Sequence, residues 1–385
     1  MVKISTELPQ VFGGFAEARQ NGFLAMKAIK DKGIGVVGQF CTYTPLEVFM
    51  AADLVSVGLC STSDETIPAA ESVLPSNLCP LIKSSYGFAI TDKCPYMYFS
   101  DLVVGETTCD GKVKMYELLA KEKNVHILEL PRRQNTPEAK ALWRAEIARL
   151  IERVEKDFGV EITEEKLQDA IRRRNTERRL LKEFYELSTM SPPPMTGLHQ
   201  LQVLFGAQFK FDWQEKVDEI RKAIDTIKKA YEEGERPVPA SAPRILITGC
   251  PMGGVTEKVV KAVEDAGAVV VAYENCTGAK QMERQVKEEG DPLTNIADHY
   301  LQIGCSVMTP DDNRFELLDD LMNRFDVDGV VEMTLQACHT YAVEAYSIKQ
   351  HMKNKNMPYI QVETDYSTSD VGQLSTRLGA FIEML

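Results

Sequence analysis

The fold is indicated most clearly by residues 35–55, GVVGQFCTYTPLEVFMAADLV. The segment up to Phe40 predicts a short apolar strand, and this strand runs directly into Cys41, where the chain is expected to turn. Short, nearly continuous apolar strands are typical of parallel sheets that helices cover on both faces. In such sheets the sites lie beyond the carboxyl ends of the strands. The thiol of Cys41 is therefore a candidate site residue.

Further segments along the chain have the same strand character. They are residues 54–59, 102–105, 125–130, 244–249, 268–274, 328–336 and 359–363. Helix-like segments separate several of them, and this alternation predicts βαβ units. DLVVGETTCD (101–110) and DGVVEMTLQACH (328–339) also echo each other, because each runs from an Asp through a Val-rich strand to a Cys. We predict an α/β protein with two similar doubly wound domains whose sheets are mostly parallel.

A charged, helix-like region separates the two predicted sheets. From Thr136 to Leu187, apolar residues recur at helical spacing and predict two helices broken near Gly159. Another charged helix is expected from about Trp213 to Glu233, followed by the turn-rich GERPVPASAPR. We therefore expect N-terminal helices and a first α/β domain, then a helical linker region, then a second α/β domain, with the bounds 1–135, 136–240 and 241–385.

The composition argues against several classes of partner. The 385 residues include 44 Lys and Arg against 57 Asp and Glu, a formal net charge of −13, with opposite charges interspersed. This balance argues against nucleic acids and anionic membranes and favours small substrates or protein partners. The N-terminal MVKISTELPQVFGGFAEARQ lacks the apolar core of a signal peptide, and no apolar run reaches the roughly 18 residues that span a bilayer. We expect a cytoplasmic protein.

The cysteines are the most informative residues. In a reducing cytosol they are unlikely to form disulfides, and they remain as inert core residues, reactive thiols or metal ligands. Five of them follow predicted strands, whereas Cys79 precedes a proline that could open a helix and Cys305 is expected in a loop. The five are Cys41, Cys109, Cys250, Cys276 and Cys338. No pair has CxxC spacing, which disfavours zinc ribbons, ferredoxin motifs and thioredoxin-type pairs. Ligands this dispersed would have to converge from separate loops, as for a large cofactor between two domains.

Other motifs are less specific. GCPMGG (249–254) could form a backbone nest for an anion, but it matches neither dinucleotide nor P-loop patterns, so we do not expect this chain to hydrolyse ATP itself. His339 directly follows Cys338 and is a candidate proton donor. Glu47 is a candidate catalytic residue whose alternative role is to cap or pair near a helix start. Glu274, close to Cys276, has the same two interpretations.

Several motifs carry a resemblance to a known family. GQFCTYTPLEVFMAADL, LPSNLCPLIKSSYGF, DLVVGETTCDGK, YENCTGAK and LQACHTYAVE resemble the 2-hydroxyacyl-CoA dehydratase superfamily. Within it, the chain is most similar to the double-cubane cluster proteins. This resemblance implies a homodimeric iron–sulfur reductase component in which two [4Fe–4S] cubanes are joined by a bridging sulfide into an [8Fe–9S] cluster. It also implies a separate ATP-hydrolysing iron–sulfur activator that delivers low-potential electrons.

The resemblance also implies a ligand set, and with it two cluster-binding α/β domains. The six implied ligands are Cys41, Cys79 and Cys109 from the first half, and Cys276, Cys305 and Cys338 from the second. By correspondence with the single-cubane dehydratases, one cubane takes Cys79, Cys109 and Cys338, and the other takes Cys41, Cys276 and Cys305. Cys250 competes for a ligand position, because it too ends a strand. Cys60 and Cys94 are expected to be core thiols.

Three functions are compatible with this resemblance. The first is an ATP-dependent reductase of small molecules with multiple bonds, such as acetylene, at the double-cubane cluster. The second is a 2-hydroxyacyl-CoA dehydratase subunit with one [4Fe–4S] cluster, which removes water from its substrate after one-electron reduction. The third is an iron–sulfur electron carrier that passes electrons to another protein.

Overall fold

The computed structural model describes residues 21–250 and 254–385, together with Glu17. The predicted N-terminal helices before residue 21, the stretch compared with a signal peptide, and most of the GCPMGG motif lie outside the described residues. Within the described residues, no helix combines the length and the apolar character needed to cross a membrane.

The first α/β domain is built on a four-stranded sheet, counted over the described residues. Its strand order is β2-β1-β3-β4, and neighbouring strands are parallel. The elements in chain order are α1 (Gly22–Asp31), β1 (Val36–Gln39), α2 (Leu46–Ala51), β2 (Val55–Gly58), α3 (Ile67–Ala70), α4 (Pro80–Thr91), α5 (Pro95–Phe99), β3 (Leu102–Glu106), α6 (Asp110–Leu119) and β4 (Val125–Leu128).

The helical region follows the predicted pattern. Its elements are α7 (Pro137–Phe158), α8 (Glu164–Glu186), a 3₁₀ turn (Leu187–Thr189), α9 (Gly197–Gly206), a second 3₁₀ turn (Ala207–Phe209) and α10 (Trp213–Glu232). The break after α7 is at Gly159, whose φ of 65° is left-handed and therefore favours glycine. Thr163 begins the next helix, because its hydroxyl accepts a hydrogen bond from the backbone N–H of Lys166.

The second α/β domain repeats the architecture of the first. Its elements are β5 (Arg244–Gly249), α11 (Gly254–Asp265), β6 (Val269–Tyr273), α12 (Ala279–Met282), α13 (Pro292–Leu301), α14 (Asp312–Arg324), β7 (Gly329–Leu335), α15 (His339–Asn354), β8 (Tyr359–Thr364) and α16 (Val371–Ile382). The strand order β6-β5-β7-β8 is again all parallel and matches that of the first sheet position by position. The prediction of two similar α/β domains is confirmed.

The helical region is part of the folded core as well as a connection. One buried apolar cluster includes Val37 of β1, Trp143 of α7, Ile171 of α8 and Leu301 of α13. Side chains from the first sheet, the helical region and the second half of the chain therefore share one interior. The bounds 136–240 remain a prediction, but the helices between them hold the two halves together.

A buried ion pair joins the same three parts of the chain. Arg178 Nη1 of α8 lies 2.8 Å from Glu47 Oε1 of α2, and the two side chains are 1% and 0% exposed. Tyr300 of α13 donates its hydroxyl hydrogen to Glu47 Oε2 at 2.8 Å. Burial opposes ionisation of Glu47, but Arg178 together with His299, Arg174 and the Tyr300 hydrogen bond outweighs it, so the pKa of Glu47 is lowered. The role of Glu47 that the structure describes is pairing near a helix start.

We expect Glu47→Gln to lower the free energy of unfolding by about 3–5 kcal/mol, because it leaves a buried guanidinium without its counter-charge. Denaturant unfolding measures this change. Glu117→Gln is the matched control, because Glu117 pairs with Lys114 on the exposed face of α6 and should change nothing measurable.

The pH dependence gives a second check on the same pair. The pKa of Glu47 is lower in the folded protein than in the unfolded chain. The ionised carboxylate therefore contributes fully to the free energy of unfolding above the unfolded-state pKa. This contribution is lost as the pH falls through the folded-state pKa. The difference in the free energy of unfolding between wild type and Glu47→Gln should therefore become smaller at acidic pH. An equal loss for Glu117→Gln, or a difference that grows in acid, would contradict this account.

Candidate functional site

The main cavity of the structure has a volume of about 600 Å³, and loops from both α/β domains form its wall. Among the described lining residues are eight of the nine cysteines: Cys41, Cys60, Cys79, Cys109, Cys250, Cys276, Cys305 and Cys338. Cys94, also a described residue, is not part of this lining. Thiols that are far apart along the chain thus converge on one space.

The sheet topology explains why the thiols converge. Cys41, Cys250 and Cys276 lie just beyond the carboxyl ends of β1, β5 and β6. Parallel strands end at the same edge of a sheet, so the turns after them are neighbours in space. The sequence-based positions of these cysteines are therefore confirmed, and Cys305 lies, as expected, in the loop between α13 and α14.

Three of the lining cysteines stand at helix N-termini. Cys79, Cys109 and Cys338 are the N-cap residues of α4, α6 and α15. Pro80 occupies the first position of α4, where the absent N–H costs no hydrogen bond, as the Cys-Pro sequence predicts. A helix N-terminus stabilises negative charge and therefore favours the thiolate, the form in which cysteine binds a metal.

Cys79, Cys250 and Cys338 form the first group of thiols. The neighbouring thiols of Cys250 and Cys79 lower the pKa of Cys338. The sulfur of Cys250 also accepts the backbone N–H of Leu335 at 3.5 Å. The three sulfurs thus lie within electrostatic reach of one another.

Cys41, Cys276 and Cys305 form the second group. Their sulfurs lie within electrostatic reach of one another. Burial raises the pKa of Cys305, while the ammonium of Lys280 acts in the opposite direction. The hydroxyl of Tyr341 lies 3.5 Å from Cys305 Sγ.

The remaining two lining thiols have other surroundings. Cys60 donates its hydrogen to the carbonyl oxygen of Phe40 at 2.9 Å, an interaction that needs the protonated thiol. Cys109 lines the cavity within electrostatic reach of Lys112. The expected grouping of Cys41, Cys276 and Cys305 corresponds to one set of neighbours, whereas Cys250, not Cys109, lies against Cys79 and Cys338.

Buried cations accompany the thiols. Lys112 donates to the Phe40 carbonyl at 3.1 Å, and no ion pair to its ammonium is found among the described residues. Its titratable neighbours are Tyr116, the thiols of Cys60, Cys41 and Cys109, and Glu106, whose pKa burial raises to about 7. A buried ammonium without a firm counter-ion is costly unless the cavity contains negative charge. The cavity is therefore suited to an anionic occupant held by thiolates.

The candidate catalytic residues differ in their relation to the cavity. His339 is exposed and lines the cavity where it reaches the surface. Among the described residues, Glu47 and Glu274 are both buried and do not belong to the lining. Glu274 pairs with Lys280 at 2.9 Å and accepts a hydrogen bond from Thr248 at 2.7 Å. Glu47 and Glu274 thus position cations, and a catalytic role for Glu47 stays a prediction.

Three polar residues of the cavity wall were not predicted as site residues, although each lies within a quoted motif: Lys112, Lys280 and Tyr341. Each lies in the first turn of the helix that follows a cysteine, at the spacings 109/112, 276/280 and 338/341. For Lys112 and Tyr341, which lie three residues after an N-cap cysteine, counting one helical turn onward from that cysteine would identify them. Arg174 and Arg178 of the helical region also line the cavity, and no local signal marks them.

In the part of the chain that the structure describes, we find no group of three or more His, Cys, Asp or Glu side chains that could hold a single metal ion. The ligands of an iron–sulfur cluster bind different iron atoms and need not converge on one point. The donor set of the cavity consists of thiols, which are the ligands that iron–sulfur clusters take.

Comparison with known proteins identifies the family. The family model of the 2-hydroxyglutaryl-CoA dehydratase, D-component, matches residues 41–385. YjiM of Escherichia coli (strain K12), a proposed dehydratase subunit, is 55% identical over 385 residues, which is 100% of both chains. The (R)-phenyllactyl-CoA dehydratase beta subunit of Clostridium sporogenes is 22% identical over 94% of each chain. A benzoyl-CoA reductase subunit of Thauera aromatica is 19% identical over 92% of each chain.

The matched region begins at Cys41 and therefore contains all the cysteines of the cavity. The resemblance to the 2-hydroxyacyl-CoA dehydratase superfamily is confirmed. This chain, with its two parallel-sheet domains around a thiol-lined cavity, belongs to the 2-hydroxyglutaryl-CoA dehydratase D-component family.

Proposed function

We propose that the chain is an iron–sulfur reductase component that reduces small molecules with multiple bonds, such as acetylene, at an [8Fe–9S] double-cubane cluster. Its electrons come from a separate ATP-hydrolysing activator. One observation supports this proposal above the others: two groups of three thiols, drawn from both α/β domains, line a single cavity. A single cubane with three protein ligands would use only one of these groups.

The residues present fit such a cofactor. The proposed ligands are Cys41, Cys276 and Cys305 for one cubane, and Cys79 and Cys338 with Cys109 or Cys250 for the other. Contact with Cys79 and Cys338 supports Cys250 for the last position. The buried ammonium of Lys112 supplies positive charge against the thiolates around it.

When bound, the cluster would supply low-potential electrons to a small unsaturated substrate in the same cavity. The chain itself provides the environment for this step. Phe40, Ile82 and Leu335 give the wall an apolar part that limits water. His339, exposed at the mouth, is proposed to bring protons from solvent. Glu47 is proposed to act indirectly, by holding Arg178 on the cavity wall.

A 2-hydroxyacyl-CoA dehydratase subunit fits about as well. The relatives from Escherichia coli and Clostridium sporogenes are named as dehydratase subunits, and one thiol group would be enough for a single [4Fe–4S] cluster. Arg132, Arg174 and Arg178 line the cavity and could attract an anionic acyl-CoA. An iron–sulfur electron carrier is the third candidate, and it would show no turnover of small substrates with activator and ATP.

Activity should require a second protein. The sequence contains no Walker motif, so ATP hydrolysis has to occur in the activator. We expect acetylene reduction only when this chain, the activator, a reductant and ATP are all present, as measured by ethylene formation. Rapid ethylene formation by this chain with reductant and ATP alone would overturn the proposed division of labour.

Anaerobically purified protein should contain about eight irons per chain, the content of an [8Fe–9S] cluster on thiolate ligands. Each of the variants Cys41→Ser, Cys276→Ser and Cys305→Ser should lower the iron content towards about four per chain, because one cubane loses a ligand. Iron and sulfide analysis measures this, with circular dichroism to verify folding.

The matched controls are the thiols outside the two groups. Cys94→Ser and Cys60→Ser should leave the iron content nearly unchanged, since Cys94 is away from the cavity and Cys60 is engaged with the Phe40 carbonyl. If Cys250, the thiol near Cys79 and Cys338, is the third ligand of their cubane, Cys250→Ser should lose more iron than Cys109→Ser. Fully active protein with about four irons, unaffected by Cys305→Ser, would favour the dehydratase function.

We also propose a cytoplasmic homodimer, because two-fold closed dimers are the commonest assembly of soluble chains. Sedimentation at micromolar concentration should give about twice the chain mass of 43.1 kDa. A fully active monomer, or activity only after addition of a different subunit, would contradict this, and the second outcome would support a dehydratase-type heteromer.

A further inference from the structure

Tyr341 lies near both thiol groups, its backbone near Cys338 and its side chain near Cys305. Its backbone N–H donates to the sulfur of Cys338, and its hydroxyl lies 3.5 Å from Cys305 Sγ. Tyr341 is 7% exposed and lies in the first turn of α15. It is therefore a buried hydroxyl directed at one proposed ligand of the second group.

Lys280 determines which way the tyrosine hydrogen points. Its ammonium lies 2.9 Å from the Tyr341 hydroxyl oxygen, and an ammonium can only donate. The tyrosine oxygen is thus an acceptor towards Lys280, and its own hydrogen is available for another partner. Among the described residues, Cys305 Sγ is the acceptor within reach. A cysteine bound to iron has lost its hydrogen, so Tyr341 has to be the donor of this bond.

The surrounding charges hold this arrangement in place. Glu274 pairs with Lys280 at 2.9 Å and with Arg314 Nε at 3.4 Å. Each of the three side chains is at most 1% exposed. The guanidinium of Arg314 lies 4.8 Å from the centre of the Tyr341 ring. The tyrosine is therefore fixed by a buried network, and it does not depend on solvent for its orientation.

We propose that Tyr341, oriented by Lys280, is a positioning residue that raises the reduction potential of the iron–sulfur site held by Cys305. This inference rests on the proposed function, because it requires Cys305 to be a cluster ligand. Reduction adds one electron, from the activator or from a chemical reductant, and no bond forms or breaks. Tyr341 keeps its hydrogen. A hydrogen bond to a ligand sulfur stabilises the added negative charge, which makes reduction easier.

The test is a redox titration of anaerobically purified protein, followed by electron paramagnetic resonance. Tyr341→Phe keeps the ring and removes only the hydroxyl. We expect the equilibrium constant for one-electron reduction of the affected site to fall about tenfold, which corresponds to about 59 mV for a one-electron couple. The iron content should equal that of the wild type.

Tyr43→Phe is the matched control. Tyr43 is buried and lies within electrostatic reach of the same thiols, Cys305, Cys41 and Cys276, but its hydroxyl donates to the carbonyl oxygen of Ile303 at 2.7 Å. Loss of this hydroxyl removes no hydrogen bond to sulfur, so the potential should stay at the wild-type value. An equal shift in both variants would mean that any buried hydroxyl near these thiols affects the potential, without a specific bond to Cys305, and would overturn the proposal.

Lys280→Gln tests the orienting role. If Lys280 acts through Tyr341, this substitution should lower the potential in the wild-type background and have a smaller effect in the Tyr341→Phe background. Equal effects in the two backgrounds would show that Lys280 acts by its charge alone and would refute orientation through Tyr341.

Iron analysis keeps this inference separate from the proposed function. About eight irons with an unchanged potential in Tyr341→Phe would refute the role of Tyr341 and leave the double-cubane proposal intact. About four irons with a lowered potential would support the role of Tyr341 at Cys305 and overturn the double-cubane proposal.

Discussion

One constraint shapes the rest of the structure: eight thiols line a single cavity, and as the proposed cluster ligands they would carry negative charge that their surroundings have to compensate. Cys79, Cys109 and Cys338 receive that compensation from the N-termini of helices. The thiols of Cys41 and Cys109 also lie within electrostatic reach of the ammonium of Lys112. Without negative charge in the cavity this ammonium would be a costly buried group, so the wall and its proposed occupant stabilise each other.

The rest of the fold brings these groups to the same place. Two sheets with the same strand order direct their carboxyl ends towards the cavity, and the turns after the strands carry the cysteines. The helical region packs against both halves through a shared apolar cluster, and the Glu47–Arg178 pair extends that contact to the cavity wall. A relative displacement of the halves would therefore disturb both the core and the thiol positions.

The two thiol groups have different surroundings, which matters for a protein proposed to move electrons. The Cys79, Cys250 and Cys338 group receives backbone hydrogen bonds, for example from Leu335 to Cys250. The other group faces buried side chains, the ammonium of Lys280 and the hydroxyl of Tyr341. Backbone donors are the same whatever the side chain, whereas side-chain donors can be changed by substitution. The electrostatic environment of the second group can therefore be changed by substitution of Lys280 or Tyr341.

The sequence by itself determined the architecture and the region of the site. All eight predicted strands occur in the described chain with small shifts at their ends, the helices break at Gly159, and the five cysteines predicted to follow strands do so. These features follow from local patterns: apolar runs, a left-handed glycine and the geometry of parallel strands. Only the tertiary structure decided which thiols meet, because contact between Cys79, Cys250 and Cys338 depends on how two distant sheets pack. The same holds for Arg178 of α8, a helix that the sequence predicts only as a linker. Its side chain is buried on the cavity wall, and no local sequence pattern indicates this.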